Sequence, residues 1–113
     1  MPSPGKEGFF FLIRAFVHYR TVNNYAPRST ALTETHLRDF ADYCEDHGLF
    51  DLRALRKEDF LTYLRFLKED YVPRRGGRLS AHAVHCRFSS LFVFFSFLTK
   101  ERSLLYNLSL IHI

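Results

Sequence analysis

A chain of 113 residues is the length of one domain and can bury a core without disulfide or metal staples. With 47% apolar and 25% charged residues its composition is neither that of a disordered chain nor that of a membrane protein, and the apolar run Leu91 to Phe95 is far too short to span a bilayer. The net charge of +4 conceals an asymmetry: Met1 to Asp70 holds ten basic and eleven acidic residues, whereas Tyr71 to Ile113 holds six basic and one acidic.

The early run "FFFLI" is cut by Arg14 and precedes no small-residue cleavage site, so it reads as part of a helix and not as a secretory signal. The expected location is the cytoplasm, with no membrane partner. Phe9, Leu12, Ile13 and Phe16 follow an amphipathic spacing that predicts a first helix from Gly8 to about Val22. Pro27 suits the first position of a second helix, which runs to His47 with Gly48 as a left-handed stop. Its buried stripe is Thr30, Thr33, Leu37, Phe40, Ala41 and Cys44. Leu49, Leu52 and Leu55 are expected to plug the core from the following loop. A third helix starts near Lys57, carries Glu58 and Asp59 where the helix dipole favours anions, and buries Phe60, Leu64 and Leu67.

"VPRRGGR", Val72 to Arg78, reads as a basic connector, since Pro and two glycines break helix. Ser80 caps a fourth helix. On a helical wheel Val84, Phe88, Leu91, Phe94, Phe95 and Leu98 share its core face, while His82, His85, Cys86 and Ser89 lie opposite, with Arg87 at the boundary. Phe97 falls outside the core face and Phe92 at its edge, which marks a candidate partner surface. No strand pattern competes with these four helices, and the expected fold is all-α.

Between Tyr71 and Lys100 there is no acidic residue, yet Arg74, Arg75, Arg78 and Arg87 fall there with His82 and His85, a one-signed segment suited to a polyanion. The alternative is a solvated basic loop. No nucleophile and base, metal-ligand set or phosphate-cradling glycine motif can be assembled. His82 and Cys86 share one helix face, but two ligands do not make a metal site. Gly76 and Gly77 sit between helices and read as a turn. Cys44 and Cys86 lie inside helical patterns, so neither a disulfide nor a metal is expected. No cofactor is implied, and the chain by itself is not expected to be an enzyme.

Two stretches carry a specific likeness. "NNYAPRST" before the second helix and "GGRLSAHAVHCRFSSLFVFFSFLTKERSLLYN" around the fourth resemble the amino-terminal core-binding domain of tyrosine recombinases, the Xer and phage-integrase group. "LRDFADYCEDHGL" and "LRKEDFLTYLRFL" also resemble its second and third helices, so the likeness covers about Phe9 to Asn107. The resemblance implies a four-helix, SAM-like domain over residues 1–107 that clamps duplex DNA at a recombination site, alongside other recombinase protomers. Carried over by position, Arg28 matches the family arginine after the proline, and Arg78, Ser80, His82, His85 and Arg87 match polar positions at the fourth helix. With Arg74 and Arg75 of the connector they make up the expected DNA-binding set. Ala26 stands where Ser or Thr is usual, His82 where Arg is, Ala83 where Thr is, and Phe92 where relatives often carry Arg.

The family's cutting chemistry uses an arginine, a lysine, a His-x-x-Arg pair and a tyrosine of a downstream domain. No histidine here has arginine three residues on. The ending "LSLIHI", Leu108 to Ile113, reads as a translated transposon end of the kind used in sequencing libraries, lying where relatives continue into a linker. The expectation is that residues 108–113 are an adapter scar or an unstructured tail and that the gene continues past Asn107. The competing function is a SAM-like protein-interaction module without DNA affinity, working through the acid-rich second helix and Phe92 or Phe97.

Overall fold

The computed structural model describes residues 5–49, 54–73 and 76–100. Leu52, Arg74, Arg75 and the segment from Glu101 to Ile113 lie outside the described residues. Four helices follow in order, α1 (Gly5–Val22), α2 (Pro27–Asp46), α3 (Lys57–Glu69) and α4 (Ala81–Lys100), and no strand occurs among the described residues. The expected all-α class is what is observed.

The helix ends follow from local chemistry. Asn24 adopts φ 63° after α1, and the Tyr25 and Asn24 amides turn back to the carbonyls of Arg20 and Thr21 at 3.0 and 3.2 Å. This is the paired arrangement that ends a helix in a left-handed residue. Gly48, at φ 72°, does the same after α2, with the Leu49 amide on the Cys44 carbonyl at 2.8 Å and the Gly48 amide on Glu45 at 3.2 Å. Leu49 then packs half-buried on the core, as does Leu55. Pro27 opens α2 without a side-chain cap, because Ala26 has no acceptor. The Asp59 carboxylate accepts the Arg56 amide at 2.8 Å at the start of α3, and Ser80 Oγ accepts the Ala83 amide at 3.1 Å at the start of α4.

The core is aromatic. Phe9, Ile13 and Phe16 of α1, Leu37, Phe40, Ala41, Tyr43 and Cys44 of α2, Tyr63 and Leu67 of α3, and Val84, Leu91 and Phe94 of α4 are buried together. Phe40 sits at the junction, edge-on to Phe9 at 5.9 Å and to Tyr63 at 4.8 Å between ring centres, and stacked with Phe60 at 5.9 Å. Tyr63, absent from the expected stripe, is buried more completely than Phe60 or Leu64, which lie half-exposed. Phe97 also departs from expectation. Instead of projecting outward it rests on Phe16 and Tyr19 of α1, at 5.2 and 5.0 Å, because α1 covers that side of α4. Phe92 does project, at 72% exposure.

Two contacts orient α2 against α4. His36 meets Ser90, and Asp39 meets Arg87, so residue numbers rise along one helix as they fall along the other and the pair is antiparallel. By length and composition α4 is long and apolar enough to cross a membrane. In the bundle it buries Val84, Arg87, Ser90, Leu91 and Phe94 against its neighbours.

Candidate nucleic-acid interface

The structure separates the expected contact residues into three environments. Arg28 lies exposed in the first turn of α2. Ser80, His82 and His85 lie exposed at the start of α4, where the helix dipole gives the helix end its positive character. His82 Nε2 is 3.5 Å from Cys86 Sγ, and His85 Nε2 is 3.5 Å from Ser89 Oγ, each one turn along the same helix. Those spacings orient both rings along the helix and leave them at the surface. No cluster of three metal-ligating side chains occurs among the described residues.

Arg78 is exposed but engaged. Its guanidinium donates to the carbonyls of Lys68, at 3.1 Å, and Glu69. It thereby satisfies the C-terminal end of α3 and ties the far end of the connector to that helix. A planar guanidinium has five donors, so this cap leaves several free for another acceptor.

Arg87 corrects the sequence reading. The wheel sets it at a boundary, but its side chain is 10% exposed and its Nη1 donates to Asp39 Oδ2 at 2.7 Å. Nη2 donates to the Tyr71 hydroxyl at 3.0 Å, and the guanidinium lies 4.7 Å from the Tyr71 ring centre. Burial opposes its charge, yet the Asp39 hydrogen bond and the field of Tyr71 outweigh it and leave the pKa raised. The guanidinium is thus committed inside the bundle and is not part of the exposed set. Arg87 lies within reach of an acidic partner that the local sequence does not show, since Asp39 is 48 residues away in the chain.

Sequence reasoning also missed the companions of that pair. His36 is buried, with Nδ1 2.8 Å from Ser90 Oγ, and Ser90 Oγ donates to the Cys86 carbonyl at 3.2 Å. A signal was present: His36 is one turn from both Thr33 and Phe40 and so falls within the buried stripe. Arg20 is another buried cation. It donates to Thr30 Oγ1 and Ser29 Oγ, each at 3.3 Å, and lies 4.5 Å from the Tyr25 ring centre, fixing the α1–α2 turn just before Arg28.

The antiparallel seam fixes where the exposed groups stand. Arg28 lies eight residues before His36 and His82 eight before Ser90, on opposite sides of the contact. At about 1.5 Å per residue this puts them on the order of 20 Å apart along the seam. Asp42, Glu45 and Asp46 end α2 exposed, at the same end of the seam as the start of α4. A different surface lies between α3 and α4, where Leu55, Phe60, Phe88, Leu91, Phe92 and Phe95 line an open apolar groove of about 420 Å³. Its six lining residues offer no acid, base or nucleophile for chemistry.

Comparison of the chain with protein-family models, with curated proteins and with solved structures finds no significant match.

Proposed function

We propose that this chain is a double-stranded DNA-binding module of SAM-like, core-binding type, which positions a site-specific tyrosine recombinase for DNA integration or recombination and does not itself cut. The carrying observation is the acid-free stretch from Tyr71 to Lys100, whose Arg78, His82 and His85 are exposed around a helix amino terminus. Arginines and helix amino termini suit phosphate oxygens. The separation of Arg28 from the start of α4 fits a ligand as extended as a duplex, which presents phosphates over any such length. Arg28, Arg74, Arg75, Arg78, Ser80, His82 and His85 are the proposed contacts.

The test is a titration of labelled duplex DNA with the parent and with an Arg28→Ala, His85→Ala variant. Both side chains are exposed, so the melting temperature should hold while affinity falls. A variant that binds duplex as the parent does would remove these residues from the contact.

One observation favours a second reading as a protein-interaction module. Phe92 stands 72% exposed at the rim of the apolar groove, where a phosphate-binding face gains nothing from a phenylalanine. A partner lost on Phe92→Ser, with DNA affinity undetectable in the parent, would select that reading.

A further inference from the structure

A polar layer, buried at His36, Arg87 and Ser90 and half-buried at Asp39 and Tyr71, crosses the α2–α4 seam and has no part in the proposed DNA contact. His36 and Asp39 of α2 meet Ser90 and Arg87 of α4, and Arg87 extends the layer to Tyr71. Tyr71 follows the end of α3 and roots the basic connector. Its amide donates to the Phe66 carbonyl at 2.8 Å, while its hydroxyl accepts from Arg87. One residue therefore joins the connector to α3 through the backbone and to the seam through the side chain. Well-packed apolar residues would hold such a seam at least as firmly, so its polar make-up calls for a use.

His36 is the group in this layer whose ordinary titration falls in mild acid. The charges that act on it are Arg87 from α4 and Asp39 from its own helix. α3 contributes Tyr63 and the connector contributes Tyr71, both of which act on Arg87. Ser90 has a single hydroxyl hydrogen, directed to the Cys86 carbonyl, so its oxygen accepts from His36 and the neutral imidazole carries its hydrogen on Nδ1. An added proton must go to Nε2.

We propose that this layer is an acid-sensitive latch: while His36 is neutral, Arg87 holds Tyr71 and the root of the connector against the bundle, and a proton on His36 sets a second cation beside Arg87 and loosens Tyr71. Two cations then compete for Asp39, the one carboxylate of the layer. The latch is independent of what the connector binds. Burial, and then the Arg87 charge, hold the His36 pKa below its ordinary value, with Asp39 opposing. The unfolded chain therefore takes the proton first. Stability from the layer is complete above the ordinary histidine value of about 6.5 and is lost as pH falls through it towards the lowered folded value.

The test compares amide-exchange protection at position 71 and the melting temperature between about pH 7.5 and about pH 5.5, the range in which histidine charges. Protection is corrected for the intrinsic effect of pH on exchange. The parent should lose protection several-fold and melt lower in acid. His36→Asn, which offers an N–H near Nδ1 but does not titrate, should show a smaller acid response in both. Tyr71→Phe should leave position 71 weakly protected at either pH while its melting temperature still falls in acid. Parent protection that does not change with pH would overturn the latch, as would an equal loss in His36→Asn. If His36→Asn does not fold, the parent and Tyr71→Phe decide alone: equal protection at position 71 in the two would refute the hold that Arg87 exerts on Tyr71.

Discussion

Arg87 joins three segments that are distant in sequence, α2 through Asp39, α4 through its own backbone and the connector through Tyr71. Removing it leaves Asp39 and the Tyr71 hydroxyl without their partner, so Arg87→Met should lower unfolding free energy by about 2 to 3 kcal/mol in denaturant titration. Asp39 is still a third exposed, which keeps the cost below that of a fully buried pair. Arg87→Lys should recover only part of the loss, since an ammonium lacks the planar fork that serves both partners. The two cysteines give a second residue-scale contrast. Burial, reinforced by the charge of Asp59, pushes the Cys44 thiol up to about 12, whereas Cys86 sits half-buried beside His82. A thiol reagent at neutral pH should therefore modify Cys86 in the folded protein and Cys44 only after denaturation. Equal rates at both sites would show that α2 opens readily.

At the scale of the element, the stops are as informative as the stripes. Gly48 holds a left-handed conformation with open space around it, so Gly48→Ala should destabilise by about 1 to 2 kcal/mol through backbone strain and not through a clash. α4 divides lengthwise. Phe94 is fully buried, and Phe94→Ala should cost about 3 to 5 kcal/mol. Phe95 is half-buried along the groove and should cost less. Phe92, 72% exposed, should tolerate Ser within about 0.5 kcal/mol. Melting curves on these three variants rank the faces of the helix. If Phe92→Ser proved as costly as Phe94→Ala, α4 would be rotated about its axis from the position described.

At the scale of the molecule, most of the fold was legible because apolar spacing records which face of a helix is buried. The stripes of α1 and α2 follow from it, while the Gly48 stop and the Ser80 cap follow from the local chemistry of glycine and serine at helix ends. Spacing could place His36 on the buried face of α2, but the partners of Arg87, His36 and Ser90 were not legible, because they arrive from another helix and spacing within one helix does not reveal them. Phe97 was misplaced for a related reason: a wheel shows one face, whereas α4 is covered by α1 as well as by α2 and α3. Of the proposed site, exposure of Arg28, Arg78, Ser80, His82 and His85 agrees with their polarity, and the chemistry of the ligand rests on the charge pattern of the chain. That pattern is tested most directly by measuring duplex-DNA affinity across salt concentration for the parent and for an Arg74→Ala, Arg75→Ala variant. The account predicts parent binding that weakens steeply with salt, and a log–log slope reduced in the variant by about 0.9 for each phosphate contact removed. Duplex binding with the same slope in both proteins, or none in the parent, would contradict it.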